Sequence, residues 1–313
     1  LELARMDIVI IAVFPGQGSQ TPGFLAPWLE TEGARALLEQ YSAYAEVDLV
    51  AAGTEWDADR IRDTKVAQPL IVAASLLSWR ALVHAGHRPD GVAGHSVGEI
   101  AALVAAGALT EEDGMRLVGI RGRAMAEAAA LETTGMSAVV GGDEATVLGR
   151  LEELDLTPAN YNGGGQIVAA GALPALAELG SEAPRGSRVI PLQVAGAFHT
   201  RYMTPAVETL RSAAAEVAAS DPSLTLWSNR DGGTVTDGRA ALDLLVAQVA
   251  NPVRWDLCMA SFAESGVTGI IELAPAGTLV GLAKRGLRGV PSVAVKTPED
   301  LAAANALLTG ENA

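Results

Sequence analysis

Apolar runs and amphipathic stretches alternate along the first third of the chain. Residues 8–14 (IVIIAVF) are all apolar, which predicts a buried strand and is far too short a run to span a membrane. The segment "VAQPLIVAASLLSWRALVHAG" predicts a long buried helix, and "GVAGHS" predicts a strand that leads into the helix "VGEIAALVAAGAL". A further helix is predicted after Thr110, which is suited to an N-cap. This alternation predicts a parallel sheet covered by helices.

The middle of the chain follows a different pattern. Short strands and helices over residues 132–195 occur in the order β-α-β-β-α-β, which is typical of a small ferredoxin-like unit. The sequence after this unit returns to long helices and short apolar strands such as "GIIELAP". We therefore predict an α/β protein in which residues 6–131 and 196–313 form a large domain, with residues 132–195 inserted as a small subdomain.

Composition narrows the class of protein. Apolar residues make up 49% of the 313 residues, enough to fill an α/β core and to argue against disorder. The net charge of −15 disfavours partners such as nucleic acid or an anionic membrane. Cys258 is the single cysteine, so it has no partner for an internal disulfide, and we expect it to be buried. No secretory signal is evident, and we expect a cytoplasmic protein.

A serine lies at one of the predicted strand-to-helix turns. The segment "GHSVG" at residues 94–98 matches the G-x-S-x-G pattern, in which a sharp turn requires small residues two positions before and after the serine. The turn directs the N–H of Val97 toward the space beside Ser96 Oγ, where an oxyanion would form. An ordinary tight turn is the alternative, but the strand-turn-helix context favours a nucleophile.

A serine nucleophile normally needs a base, and the chain has four histidines. His95 adjoins the serine and should point away from its hydroxyl, while His84 and His87 lie near a helix end before it. His199 is therefore the best candidate base, with a purely structural histidine as the alternative. More than a hundred residues follow His199, unlike the order in α/β-hydrolases, so the third member of the site need not be a carboxylate.

The helix after Thr110 carries three arginines. Two of them, Arg116 and Arg123, lie four residues from Glu112 and Glu127 and are predicted to form a solvated, salt-bridged face. Arg121 instead shares a stripe with apolar residues (Leu117, Val118 and Met125). A buried guanidinium needs a partner, which leaves two alternatives: a structural ion pair, or a receptor for a substrate carboxylate.

Six segments occur in an order that resembles a known family: "FPGQGSQ", "VAQPLIVA", "GHSVGEIAAL", "RG" at residues 121–122, "AGAFHT" and "NPVRW". They closely resemble the malonyl-CoA:acyl-carrier-protein transacylases of bacterial fatty-acid synthesis, which are related to the acyltransferase domains of polyketide synthases. The resemblance extends from about residue 8 to about residue 295. It implies a hydrolase-like large domain with an inserted ferredoxin-like subdomain.

The resemblance implies a role for each matching residue of the site. Ser96 corresponds to the nucleophile and His199 to the general base and acid. Gln248 is expected to orient the imidazole, largely through its backbone carbonyl. The backbone N–H groups of Gln17 and Val97 are expected to form the oxyanion hole.

The resemblance also implies which residues form the substrate pocket. Arg121 corresponds to the family's clamp for the malonyl carboxylate, and Asn160 and Met125 are expected to line the pocket. Phe198 resembles the bulky residue of malonyl-selective members, where methylmalonyl-selective relatives tend to have a smaller one.

The implied reaction is ping-pong transfer of a malonyl group. The group passes from malonyl-CoA to Ser96, then to the phosphopantetheine thiol of an acyl carrier protein, supplying fatty-acid or polyketide synthesis. No metal or bound redox cofactor is expected, and we expect a monomer whose partners are the carrier protein and coenzyme A.

The densest positive run is the predicted dock for the carrier protein, with a solvated helix end as the alternative (Lys284, Arg285 and Arg288). Two other functions remain open: a serine thioesterase or hydrolase that uses the same Ser96–His199 pair, and a non-catalytic scaffold descended from the enzyme.

Overall fold

The computed structural model describes residues 8–84 and 86–311. A five-stranded parallel sheet forms the centre of the large domain. Its strands are β1 (Ile10–Phe14), β2 (Gly91–Gly94), β7 (Thr225–Trp227), β9 (Gly269–Glu272) and β10 (Ser292–Ala294). They lie in the order β10-β9-β1-β2-β7. The parallel sheet that the alternating pattern predicts is therefore confirmed.

Helices cover both faces of this sheet. Alternate residues of β1 belong to two different hydrophobic clusters, with Phe14 in one and Val13 in the other. All of β1 is buried for this reason, and the strand is apolar throughout instead of alternating. Cys258 is fully buried in the second cluster, as expected from the sequence.

The large domain contains most of the helices, numbered here in chain order across both parts of the protein. They are α1 (Ala34–Ala45), α2 (Leu49–Thr54), α3 (Ala58–Arg62), α4 (Thr64–His84), α5 (Gly98–Ala105), α6 (Glu111–Ala129), α9 (Thr204–Ala215), α10 (Gly238–Gln248), α11 (Trp255–Glu264), α12 (Thr278–Gly286) and α13 (Leu301–Thr309). Short 3₁₀ turns lie at Ala26–Glu30, Arg201–Met203 and Pro298–Asp300. Among the described residues, α4 alone has the length and apolar composition of a membrane span, but 83% of that stretch is buried, as in a core helix.

The inserted subdomain has the order of elements that the sequence predicts. Its elements are β3 (Thr134–Gly141), α7 (Glu144–Glu153), β4 (Thr157–Gly163), β5 (Gln166–Ala172), α8 (Leu173–Ser181) and β6 (Ser187–Pro191). The strands pair antiparallel in the order β6-β3-β5-β4, which confirms the ferredoxin-like arrangement. We propose junctions near residues 132 and 195, just outside the first and last of these strands. The outer ends of the predicted large domain, residues 6, 7, 312 and 313, lie outside the described residues.

One strand of the small sheet comes from the large domain. β8 (Val253–Arg254) pairs in parallel with β4, with Asn160 opposite Val253. The sequence did not predict this strand, because two residues carry no periodic pattern. The pairing attaches one edge of the subdomain to the segment that follows α10.

Candidate active site

Ser96 occupies a strained turn between β2 and α5. Its φ of 54° lies in the left-handed region, which is unusual for a residue with a side chain. A Cβ on Gly94 would overlap the backbone of Gly98, and a Cβ on Gly98 would overlap the carbonyl of Phe14. The backbone N–H of Ser96 donates to Asn229 Oδ1 at 2.8 Å. The turn therefore has the geometry that G-x-S-x-G predicts, and glycine is required at both flanking positions.

His199 is the histidine that the fold brings to the serine. Its Nε2 lies 2.8 Å from Ser96 Oγ, and its Nδ1 lies 2.9 Å from the backbone carbonyl of Gln248. A carbonyl only accepts hydrogen bonds, so Nδ1 carries the proton and the Nε2 lone pair accepts from the serine hydroxyl. Burial, with the charge of Arg121, lowers the pKa of His199 to about 3. The imidazole is therefore neutral at physiological pH, as a general base must be.

Two residues that line the same cleft as Ser96 are candidates to donate backbone N–H groups to an oxyanion. Val97 follows the serine at the start of α5, and Gln17 lies in the loop after β1, the strand next to β2. A Cβ on Gly16 would stand 3.7 Å from Ser96 Cβ, which shows how closely this loop approaches the serine. Within the described part of the chain, neither N–H donates to a protein acceptor. This arrangement suits an oxyanion hole.

Arg121 is buried behind the Ser96–His199 pair, with 1% of its surface exposed. Its Nη1 donates to Gln68 Oε1 at 2.7 Å and its Nη2 donates to Gln248 Oε1 at 2.9 Å. Across residues 8–84 and 86–311 it forms no ion pair, and its Nε has no partner. Burial lowers the pKa of Arg121 to about 10, which leaves the guanidinium charged at neutral pH. Neutral amides thus hold a buried cation that retains free N–H groups.

The other two arginines of α6 differ in their partners. Arg116 pairs with Glu112 at 2.6 Å, as the i,i+4 spacing predicts. Arg123 pairs with Glu46 at 3.0 Å and donates to the carbonyl of Ala45, so its predicted pairing with Glu127 is wrong. The C-terminus of α1 lies beside α6, and its free carbonyl attracts the guanidinium more effectively than a flexible neighbour on the same helix.

A cleft of about 210 Å³ opens between the large domain and the subdomain. Seven of the predicted site residues line it: Gln17, Ser96, Val97, Met125, Asn160, Phe198 and His199. Arg121 does not line it directly, because Gln68 and Met125, which contact each other at 3.4 Å, lie at the wall. Gln248 contributes its carbonyl and its amide from behind His199.

The predicted carrier dock lies next to this cleft. Lys284, Arg285 and Arg288 are exposed, and the first two are in the last turn of α12. Other residues of α12, Thr278, Leu279 and Leu282, line the cleft. One helix therefore connects the positive surface with the cavity.

Three buried polar residues of the site were missing from the sequence prediction: Gln68, Glu99 and Asn229. Gln68 and Glu99 stand in apolar helices, so a search for isolated polar residues on buried faces would have found them. Asn229 follows β7 in an irregular segment, and the sequence gives no signal for its role. Glu99 accepts from the N–H of Asn229 at 2.6 Å and from Gln248 Nε2 at 2.5 Å. Burial raises the pKa of Glu99 to about 8, while Arg121 and these donors oppose the shift.

A serine–histidine pair at the carboxyl edge of a parallel sheet, with free N–H groups beside it, is typical of α/β enzymes that form an acyl-serine intermediate. The profile of the acyl transferase domain family matches residues 11–303. The protein therefore belongs to the acyl transferase domain family.

Individual sequences and solved structures that resemble this chain agree with the family assignment. The malonyl CoA-acyl carrier protein transacylase of Mycobacterium tuberculosis strain H37Rv is 54% identical over 297 residues, which cover 94% of this chain and 98% of that protein. A crystal structure of MCAT from Mycobacterium tuberculosis superposes with a TM-score of 0.91, covering 94% of this chain and 98% of that one at 54% identity. A malonyl-transacylase in complex with a type II PKS acyl-carrier protein superposes with a TM-score of 0.90 at 31% identity, covering 96% and 99%. The hydrolase-like architecture implied by the resemblance is confirmed.

The depressed pKa of His199 predicts a pH-dependent stability. In the unfolded chain the imidazole takes up a proton below about pH 6.5, whereas the buried imidazole stays neutral down to about pH 3. The folded state is therefore destabilised relative to the unfolded state as pH falls through this window. We expect His199 to remove about 2 kcal/mol of unfolding free energy between pH 7.5 and pH 5.

Denaturant unfolding of the wild type and of His199→Gln at both pH values checks this expectation. The difference between the two proteins in this loss of unfolding free energy reports on His199, because the other groups titrate in both. An equal loss of stability in the two proteins would mean that His199 titrates normally in the fold.

Proposed function

We propose that this protein transfers a malonyl group from malonyl-CoA to the phosphopantetheine thiol of an acyl carrier protein. The observation that carries the proposal is the buried guanidinium of Arg121 beside the Ser96–His199 pair. Within residues 8–84 and 86–311, two amides and no carboxylate hold this guanidinium. Such a cation is suited to an acyl group that brings its own carboxylate. The transacylase relatives support the same substrate.

In the first half-reaction Ser96 attacks the malonyl thioester. His199 Nε2 takes the hydroxyl proton as Oγ bonds to the thioester carbon, and the N–H groups of Gln17 and Val97 stabilise the tetrahedral oxyanion. The intermediate collapses, the C–S bond breaks, and the imidazolium returns its proton to the leaving sulfur of coenzyme A. Malonyl-Ser96 remains. Removing one oxyanion donor typically slows such a step by about 100- to 1,000-fold.

Because Arg121 is charged, the basicity of His199 depends on which acyl group is bound. The guanidinium opposes formation of the imidazolium, since it lowers the pKa of His199 together with burial. A malonyl carboxylate bound to Arg121 cancels that charge, whereas an acetyl group does not. Malonyl-CoA therefore assists its own activation by His199.

In the second half-reaction the thiol of the carrier protein accepts the malonyl group from Ser96. His199 takes the thiol proton, the sulfur attacks the ester carbon, and Ser96 Oγ leaves with the proton that the imidazolium returns. Malonyl-CoA and the phosphopantetheine of the partner are substrates here, with no bound cofactor in the mechanism. We propose a cytoplasmic monomer that serves fatty-acid or polyketide synthesis, in line with the relative described above in complex with a type II PKS acyl-carrier protein.

The walls of the cleft bear on the choice of acyl group. Phe198 precedes the base and is 6% exposed, and Met125 contacts Gln68 beside the guanidinium. Asn160 projects from β4, so the subdomain supplies part of the pocket. A bulky ring next to His199 leaves little room for a methyl branch on the malonyl group, which favours malonyl over methylmalonyl.

Intact-protein mass spectrometry after brief incubation with malonyl-CoA tests the proposal. We expect a stable malonyl adduct in the wild type and none in Ser96→Ala. In Arg121→Ala we expect the rate of adduct formation to fall about 100-fold or more, because a desolvated carboxylate loses its charged partner.

The matched control is Arg123→Ala, which removes an arginine two positions along α6 whose partners lie on α1 and its C-cap; its adduct should form at the wild-type rate. Free malonate and coenzyme A without an adduct would instead identify a thioesterase. An absence of both adduct and turnover would identify a scaffold.

Charge reversal of Lys284, Arg285 and Arg288 tests the proposed dock. Carrier proteins are usually acidic and this chain carries a net charge of −15, so encounter needs a local positive patch. We expect the KM for the carrier protein to rise about tenfold while acylation by malonyl-CoA stays unchanged.

Arg211→Glu on α9 serves as the charge control, since this exposed arginine does not line the cleft. If the charge-reversed protein transfers the malonyl group with wild-type kinetics, this surface is not the dock.

A further inference from the structure

A buried carboxyl group lies on the far side of the Gln248 side chain from Arg121. Glu99 is the second residue of α5 and is 6% exposed. One of its oxygens accepts from the backbone N–H of Asn229 at 2.6 Å, and the other accepts from Gln248 Nε2 at 2.5 Å. The mechanism described above does not use this residue, although burying a carboxyl group costs free energy of folding.

The hydrogen bonds to Glu99 and Arg121 fix the orientation of the Gln248 amide. A guanidinium only donates hydrogen bonds and therefore requires Oε1, whereas a carboxylate only accepts them and therefore requires Nε2. If the amide were flipped, its N–H would face the donors of the guanidinium and its oxygen would face the oxygens of the carboxyl group, so both hydrogen bonds would be lost. The amide thus lies between a guanidinium and a carboxyl group, with its oxygen toward the first and its N–H toward the second.

Gln248 also contacts the catalytic pair. Its backbone carbonyl accepts from His199 Nδ1 at 2.9 Å, and its Nε2 donates to the carbonyl of Ser96 at 3.0 Å. Asn229, the other partner of Glu99, accepts from the N–H of Ser96. Glu99 is therefore one contact away from the Ser96 turn, from His199 and from Arg121.

We propose that Glu99 is a positioning residue that acts through Gln248 to hold the Arg121 guanidinium in the orientation that binds a carboxylated acyl group. When ionised, Glu99 also places a negative charge near this buried cation while no substrate carboxylate is bound. The proposal rests on the malonyl transfer proposed above and names the residue that sets its selectivity.

The test compares malonyl-CoA with acetyl-CoA in single-turnover acylation of Ser96, followed by intact mass at pH 9. This pH lies above the raised pKa of Glu99, so the carboxyl group is ionised. In Glu99→Gln one of the two N–H donors loses its acceptor. We expect the rate constant for malonylation to fall about 10- to 100-fold and that for acetylation to fall much less. A ratio of malonyl to acetyl rates equal to that of the wild type would overturn the proposal.

Glu112→Gln is the matched control, because it makes the same substitution at an exposed glutamate of α6. Its ratio should equal that of the wild type. If Glu99→Gln does not fold, Glu99→Asp replaces it, since the shorter side chain keeps the charge but withdraws from Gln248. Its ratio should fall as well, and an unchanged ratio would again overturn the proposal.

A double-mutant cycle separates a role through Arg121 from a merely structural one. In the Arg121→Ala background, Glu99→Gln should lower malonylation by less than about threefold, because the group that Glu99 positions is already absent. If the fold-reductions of the two single variants multiply in the double variant, Glu99 acts independently of Arg121. A wild type that forms no malonyl adduct would overturn both proposals, whereas an adduct with an unchanged ratio in Glu99→Gln would overturn this one alone.

Discussion

The hydrogen bonds of Gln248 join the parts of the site that come from distant regions of the chain. Its carbonyl holds the Nδ1–H of His199, its Oε1 accepts from Arg121, and its Nε2 donates to the backbone carbonyl of Ser96 and to Glu99. Among the described residues, the Nδ1–H of His199 bonds to a backbone carbonyl and not to a carboxylate, and burial keeps the histidine neutral. The charge that a hydrolase triad supplies from the protein is supplied here, in our account, by the carboxylate of the substrate.

The two-part architecture places this network at the base of a cleft. The parallel sheet brings the loop after β1 and the turn after β2 side by side at its carboxyl edge, where ligands bind in open α/β sheets. The inserted subdomain forms the opposite wall with residues such as Asn160 and Val168. Pairing of β8 with β4 attaches this wall to the segment that follows Gln248. The position of the pocket therefore depends on the same region of chain that orients the imidazole of His199.

Local patterns predicted most of the fold, because strands, helices and caps depend on neighbouring residues. Thr110 accepts from the N–H of Asp113, and Ser96 lies in the turn that its flanking glycines require. Phasing along α6 correctly indicated that Arg121 is buried. The contacts that depend on tertiary structure were missed: the two-residue strand β8, the pairing of Arg123 with Glu46, and the buried amides around Arg121. Sequence spacing could not have identified which residues pair in these contacts, since the partners lie far apart in the chain and follow no period.

A crystal structure of the protein after reaction with malonyl-CoA, with no carrier protein present, tests the central claim most directly. The account predicts a malonyl group on Ser96 whose carboxylate lies within about 3 Å of the Arg121 guanidinium. It also predicts the ester carbonyl oxygen within about 3 Å of the N–H groups of Gln17 and Val97. An ordered malonyl group whose carboxylate faces solvent, with Arg121 still bonded only to Gln68 and Gln248, would contradict it.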